Sequence, residues 1–202
     1  MKKILLLIVM LAAGSILEAG GVSIILEGMH YKCKLLQPEG LPVARRLSGE
    51  KKEMYIDFYD ATELPLTWKA FSVSFVPEKS GSVIITVSGT YNPKKGMANW
   101  TEYDKFEVEN GVLMNPSFEQ LNTLGEFYVW RYYTKTSLKK DQKDAADGKN
   151  YVAVNRSQPA RQTIRVTAGK KVTIKFMARN GGMSPAEAPS KYASSQNAPL
   201  AK

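Results

Sequence analysis

The chain has few of the residues that stabilise a fold through disulfide bonds or metal ions. Its 202 residues include one cysteine, Cys33, and one histidine, His30. A lone cysteine cannot close an intramolecular disulfide, and a lone histidine cannot build a multi-histidine metal site. The sequence also lacks a Gly-x-Ser-x-Gly motif, so a serine-hydrolase triad has no support. Stability must come mainly from an apolar core, and Cys33 is predicted to be a small buried residue rather than a nucleophile.

The chain also lacks a hydrophobic run long enough to span a bilayer comfortably. Its amino terminus has the parts of a secretory signal, because two lysines precede an apolar stretch over residues 4–13. We predict a signal peptide over residues 1–19, with cleavage after Ala19 or after Gly14. The alternative is a retained membrane anchor. Cleavage would leave a chain without a membrane span that is secreted, periplasmic or held at the cell surface.

No amphipathic helix is evident after this segment, and the chain reads as short strands separated by turns. Residues 82–88 are typical of a buried strand, residues 171–177 alternate, and Ala168-Gly169 is a typical hairpin turn. Strands at this spacing predict an all-β sandwich. From Gly181 the composition becomes small, polar and proline-bearing, which predicts a disordered tail over residues 181–202.

Two groups of motifs resemble the galactose-binding-like jelly-roll β-sandwich, the fold of many carbohydrate-binding modules. The family's first half has an Asn-Gly-Ser-Phe-Glu opening, an aromatic strand, a Gly-Lys-x-Ser-Leu-x-Val strand and two further strands. The matching segments, in that order, are residues 115–119, Trp130, 148–154, 162–166 and 168–176. The second half has Trp-x-x-Phe-x-Phe-x-Pro, Ser-Gly-x-Val-x-Ile-x-Val and Tyr-x-Asp-x-Val strands. The matching segments there are residues 68–77, 80–87 and 103–108.

The two halves stand in reversed order along the chain, since the closing motif precedes the opening one. One interpretation is a single jelly-roll sandwich of two antiparallel sheets over residues 20–180, circularly permuted into halves 20–110 and 111–180. The alternative is two incomplete domains, each exposing open edge strands and half of a hydrophobic face. Because sandwich termini lie close together and surface loops tolerate a new break, we expect the permuted sandwich.

The resemblance implies a structural calcium ion where the family's first and last strands meet. Its ligands there are the glutamate of the opening motif, the closing aspartate and the backbone of a Gly-Lys turn. The matching positions are Glu119, Asp104 and Asp147, with the backbone up to Lys149. Calcium prefers about six to eight oxygen ligands with anionic charge among them. The family's second closing aspartate is Lys105 here, and the alternative is that these carboxylates are ordinary strand-end residues.

Such folds bind sugars with aromatic rings that stack on the sugar face, while amides and charged groups contact the hydroxyls. In the predicted aromatic strand, Tyr128, Trp130 and Tyr132 share one face because alternate residues of a strand do so. Trp100 follows a turn and is predicted to be an exposed platform. The alternative for Trp130 is a core position, and Trp68 matches a lid over the family's core without a ligand role. The predicted ligand-binding residues are Trp100, Trp130, Tyr128, Tyr132, Arg131 and Gln162.

These expectations lead to a secreted, non-enzymatic module that recognises a polysaccharide or cell-surface glycan through aromatic and polar surface residues. The alternative is a structural or adhesive cell-surface protein that keeps the fold, lacks a sugar site and contacts another protein. A third possibility is a glycosidase that uses two of the clustered carboxylates Glu102, Asp104, Glu107 and Glu109. Their strand-neighbour spacing favours a solvated face instead.

The chain is basic, with a formal net charge of +9 and a pI near 9.5. A basic balance can indicate affinity for anionic polymers such as acidic polysaccharides or nucleic acid. Here the lysine pairs fall largely at predicted turns, which favours solvated loop charges. We expect no specific binding of nucleic acid.

Overall fold

The computed structural model describes residues 22–27, 34–36, 44–48, 54–58, 64, 66–89, 96–132, 138–185 and 200. The predicted signal peptide, His30 and Cys33 lie outside these residues. The described part forms strands and no helix. The strands are β1 (Val22–Glu27), β2 (Lys34–Leu36), β3 (Ala44–Ser48), β4 (Met54–Phe58), β5 (Lys69–Val76), β6 (Gly81–Gly89), β7 (Met97–Glu109), β8 (Arg131–Tyr132), β9 (Leu138–Lys139), β10 (Tyr151–Val154), β11 (Ala160–Val166) and β12 (Val172–Pro185).

These strands form two antiparallel sheets of six strands each. The first sheet has the spatial order β3-β4-β1-β6-β11-β8, and the second has the order β2-β5-β12-β7-β10-β9. The prediction of an all-β sandwich of two antiparallel sheets is confirmed. Each sheet has one face toward a shared core, and its outer face is defined here as the one directed away from that core.

The core forms because apolar residues alternate along the central strands of both sheets. On β6, Val83, Ile85 and Val87 are buried, and on β5 Phe71, Val73 and Phe75 are buried. Alternate residues of a strand lie on opposite faces, so each trio covers one face of its sheet. The same alternation continues on the paired strands with Ile164, Val166, Val172, Ile174, Phe176 and Ala178.

Aromatic rings fill the centre of the sandwich beneath residues 113–130. The Trp130 ring lies 4.8 Å from the Phe118 ring and 5.5 Å from the Phe106 ring, measured between centroids. Phe106 also stacks on Phe176 of the neighbouring strand, at 5.4 Å. Large aromatic side chains bury the most apolar surface per residue, so this cluster is a principal source of stability.

Strands from the two halves of the resemblance are neighbours in both sheets. β6 pairs with β11 in the first sheet, and β12 lies between β5 and β7 in the second. Their buried apolar residues belong to one cluster. Circular permutation of the chain stays a prediction.

A β-bulge in β7 lets both Tyr103 and Phe106 face the core although they are three residues apart. The register against β12 shifts between Lys175 and Met177, and Lys105 has a φ of +49° at this point. The extra residue of a bulge reverses the alternation that follows it. Asp104 and Lys105 therefore occupy the irregular position, with Asp104 fully buried and Lys105 exposed.

The predicted disordered tail begins too early. β12 continues through Pro185, pairing with the first residues of β7, so residues 181–185 belong to the sheet. Gly182 has a φ of +86°, and the register shifts a second time beside it. This irregularity allows the strand to continue through a sequence whose composition is typical of a linker. Further along, Leu200 forms an isolated bridge with Asn122.

Candidate functional site

The predicted shared face of Tyr128, Trp130 and Tyr132 does not offer its aromatic rings to a ligand. Trp130 is 1% exposed and Tyr132 is 0% exposed, so neither ring can stack on a ligand at the surface. Between residues 126 and 132, which the structure describes, the one strand is Arg131–Tyr132, and Val129 has a φ of +64°. That backbone conformation interrupts the alternation and turns both Phe127 and Trp130 inward.

The two buried aromatic residues have structural partners. The Trp130 indole donates a hydrogen bond of 2.9 Å to the carbonyl of Asn115, which ties the opening motif to the core. Tyr132 packs near Phe127, and burial raises the pKa of its phenol well above the ordinary value. The core alternative for Trp130 is therefore the one observed, and Tyr132 shares it.

Trp100 lies on the opposite side of the sandwich from Arg131 and Gln162. It belongs to β7 of the second sheet, and its half-buried indole donates a 2.6 Å hydrogen bond to Ser184. Arg131 and Gln162 belong to β8 and β11 of the first sheet. The predicted ligand residues thus do not converge on one site, because strand pairing distributes them between two sheets.

A depression of about 290 Å³ lies on the outer side of the first sheet and contains two of the predicted ligand residues. We call it the arginine depression. It brings Arg131 and Gln162 together with Arg161, which the ligand prediction omitted. Its lining residues are Ile84, Met114, Val129, Arg131, Arg161, Gln162 and Thr163. Tyr128 is half-buried and is not among them.

Strand register places the two arginines side by side. Arg131 and Arg161 are direct partners in the antiparallel pair of β8 and β11, and Thr163 is the partner of Ile84 on the other side. Side chains of directly opposite residues lie about 5 Å apart at their Cβ atoms. Two guanidinium-bearing side chains, a hydroxyl and an aliphatic side chain therefore share one surface of the sheet.

The rim of the arginine depression is held by Gln162. Its buried side-chain amide accepts a hydrogen bond from the Met114 N–H at 2.8 Å and donates one to the Met114 carbonyl at 2.9 Å. This pair of bonds replaces a strand partner at the edge of β11. Gln162 thus positions the segment that carries Met114, and its amide is already engaged in doing so.

The second sheet's outer side carries a charged cluster centred on Arg179. The guanidinium lies 4.4 Å from the Trp68 ring and 5.1 Å from the Tyr151 ring, measured to the centroids. It forms ion pairs with Glu102 and, at 2.8 Å, with Asp144. Burial is the main reason that the pKa of Tyr151 is raised. Trp68 is thus a partner of an arginine rather than a lid over the core.

Asp104, a predicted calcium ligand, is fully buried beneath residues 146–147. Its Oδ2 accepts the N–H groups of Ala146 and Asp147 at 2.8 and 2.9 Å, and its Oδ1 accepts the Lys105 N–H at 2.7 Å. Burial raises the pKa of Asp104 to about 7, although these hydrogen bonds lower it. The carboxyl group fastens one end of the loop over residues 141–150.

Glu119, the second predicted calcium ligand, fastens the other end of that loop. Its Oε1 accepts the N–H groups of Lys149 and Asn150, both at 2.8 Å. Gly148 between them has a φ of +65°, and a Cβ atom there would collide with the Glu119 carboxyl group. Glycine is therefore required at this turn both for its conformation and for the close approach.

The three predicted calcium ligands do not fit the ion as they are arranged. A calcium ion needs several oxygens converging on one point. Here the oxygens of Asp104 and Glu119 face backbone N–H groups, and the Asp147 Oδ2 accepts a hydrogen bond from Ser117 at 2.7 Å. Among the described residues, no group of three or more His, Cys, Asp or Glu side chains could hold a metal. Calcium binding stays a prediction.

The carboxylates considered for glycosidase chemistry make separate contacts. Glu102 pairs with Arg179, whereas Glu109 at the far end of the strand pairs with Lys175 at 2.6 Å. The Lys175 hydrogen bond lowers the pKa of Glu109. Asp104 has a raised pKa, as a general acid needs, but the loop covers it.

Comparison with known proteins gives no assignment, since no protein-family model, curated protein or solved structure matches the chain. Within the ranges described above, no helix has the length and apolar character needed to cross a membrane.

Proposed function

We propose that the chain is a secreted or cell-surface, non-catalytic β-sandwich module that recognises a glycan. The arginine depression is the observation that carries this proposal. It combines charged groups, a hydroxyl and apolar side chains within one concave surface of about 290 Å³. Ligand sites commonly have this composition, with a few polar groups fixing orientation beside an apolar wall.

The lining residues suit the two kinds of surface that a sugar presents. Arg131, Arg161 and Thr163 can donate hydrogen bonds to hydroxyl oxygens, and a guanidinium alone has five N–H donors. Ile84 and Met114 supply apolar contact for the C–H groups of a sugar ring. The volume lies at the lower end of the range of roughly 300–1,000 Å³ typical of ligand pockets, so one sugar unit is the expected occupant.

The second candidate is a structural or adhesive protein with this fold that contacts another protein. Met114, which lines the depression, is 49% exposed, and Val112 and Leu66 are 70% and 76% exposed. Exposed apolar side chains near a polar surface favour a protein partner. None of the residues lining the depression is aromatic, whereas many sugar sites use aromatic rings.

A glycan array probed with the full mature chain tests the proposal. Saturable binding to at least one glycan is expected. Thr163→Trp, at an exposed position in the depression, should abolish it by filling the space. The matched control is Thr167→Trp, which adds the same bulk at an exposed position just after β11, outside the lining. Absence of binding to every glycan by the folded chain would overturn the proposal in favour of the second candidate.

A further inference from the structure

We propose that the arginine depression binds a carboxylate-bearing sugar, a hexuronate unit of an acidic polysaccharide. The inference rests on the proposed glycan binding and specifies the chemical class of the ligand. It follows from the pairing of Arg131 with Arg161 and from the charge of the strands that form the depression.

The cross-strand arginine pair supplies the anion-binding groups. Like charges placed directly opposite each other on a sheet repel. A carboxylate bound between the two guanidinium groups would be attracted to both and offset that repulsion. Arginine is suited to the role because its planar group binds carboxylates with two parallel hydrogen bonds. Arg131 and Arg161 also make contacts within the protein, and each guanidinium has five N–H donors.

The strands that form the base of the depression contain arginines and no acidic residue. β6, β8 and β11 contain Arg131, Arg161 and Arg165 and no aspartate or glutamate. The adjacent β1 places Glu27 in register with Ile84, on the side of β6 away from the arginines. The positive end of the depression therefore lies at β8 and β11, where an acid group of the ligand would be held.

The backbone at Val129 shapes one side of the depression. Valine is β-branched, and a φ of +64° is sterically unfavourable for such a residue. The inward packing of Phe127 and Trp130 on either side holds this conformation. Val129 lines the depression and lies two residues before Arg131. The backbone turn at Val129 therefore helps to fix the position of the Arg131 backbone.

Titration with oligogalacturonate and with its fully methyl-esterified form tests the charge requirement. The two probes share the same rings and hydroxyl groups and differ in the carboxylate. The acid form is expected to bind about tenfold or more tightly than the ester, with an affinity that falls as salt is raised. Equal binding of the two forms would overturn the inference.

Substitution of the arginines tests the location. Arg131→Ala and Arg161→Ala are each expected to weaken oligogalacturonate binding about 10- to 100-fold. Arg165→Ala is the matched control, because Arg165 is exposed on the same face of the same strand as Arg161 but outside the depression. Arg161→Lys keeps the charge and the fold while removing the forked geometry, and it should also weaken binding.

The outcomes separate this inference from the proposed function. Equal losses in Arg165→Ala and Arg161→Ala, together with comparable binding of single-stranded DNA, would indicate general attraction of polyanions and overturn the inference. Binding of neutral glycans alone, blocked by Thr163→Trp, would overturn it and leave the proposed function standing. No binding of any glycan would overturn both.

Discussion

The described charged residues on the two outer faces of the sandwich have different neighbours. On the second sheet Arg179 is paired with Glu102 and Asp144, and Lys175 is paired with Glu109. On the first sheet, the described side chains of β6, β8 and β11 place arginine opposite arginine and include no acidic residue. Both faces arise from the same strand alternation, so the difference lies in which residues the register brings together.

The carboxylate partners on the second face indicate where charge serves stability. A charged group whose hydrogen bonds and ion pairs are made within the protein contributes to stability and offers little to a ligand. A surface that gathers like charges loses some stability, and such losses are typical of positions kept for binding. Mutations on the second face are therefore expected to change the free energy of unfolding, and mutations on the first face are expected to change ligand affinity.

The largest expected effect is on the second face. Arg179→Met should lower the free energy of unfolding by about 3 kcal/mol, because it leaves the largely buried Glu102 without its partner and ends the contact with Trp68. Urea unfolding measures it. The control on the first face is Arg165→Ala, an exposed change that should stay within about 0.5 kcal/mol. Equal losses in the two variants would remove the distinction between the faces.

A pH effect is expected next, and it comes from Asp104 in the second sheet. The pKa is about 7 in the folded chain against 3.8 ordinarily, so the folded state retains a proton that the unfolded state has lost. Stability from this group is present below about pH 4 and is lost as the pH rises through about 7. The loss is on the order of 3 kcal/mol.

Asp104→Asn isolates this contribution. The difference in unfolding free energy between the parent and this variant should change between about pH 4 and pH 8, measured with chelator present. Glu107→Gln, a change at an exposed acidic position of the same strand, should leave the profile of the parent unaltered. If the unfolding free energy of Asp104→Asn depended on pH in the same way as that of the parent, the assignment of the proton to Asp104 would be wrong.

A smaller loss is expected where Glu119 holds the loop over residues 141–150. Glu119→Ala removes the acceptor of the Lys149 and Asn150 N–H groups and should cost about 1–2 kcal/mol. Thermal melting in calcium and in chelator measures it. If hydrogen bonding is the role of Glu119, the loss is the same in both conditions. A parent chain that melts lower only in chelator would instead support the predicted calcium ion.

The sequence predicted the sheets well because their signals are local. β5, β6, β11 and β12 alternate clearly, and turn residues separate the strands. The aromatic segment failed because Val129 adopts a positive φ, which the packing of Phe127 and Trp130 in a distant core requires. The alternation of residues along a strand cannot predict that Phe127 and Trp130 both pack in the core.

The candidate site was predicted only in part for a similar reason. Arg131 and Gln162 were identified from their positions on strands, and alternation within β11 could have shown that Arg161 and Thr163 share an outer face. The pairing of Arg161 with Arg131 depends on the register of β8 against β11, and these residues are far apart along the chain. The contact of Trp68 with Arg179 likewise joins residues that no local pattern relates.

The smallest expected effect tests the first face directly. Arg131→Glu converts the like-charged pair into an opposite-charged one, and it should raise the free energy of unfolding by about 0.5 kcal/mol while abolishing binding of an acidic glycan. Urea unfolding and glycan titration on the same sample measure the two changes. Arg165→Glu is the control, because its register partner is Ser82 rather than an arginine, so no comparable gain is expected. A gain in stability with loss of binding would show that the repulsion between Arg131 and Arg161 is retained for the ligand, whereas a loss of stability would mean that Arg131 already has a compensating role within the fold.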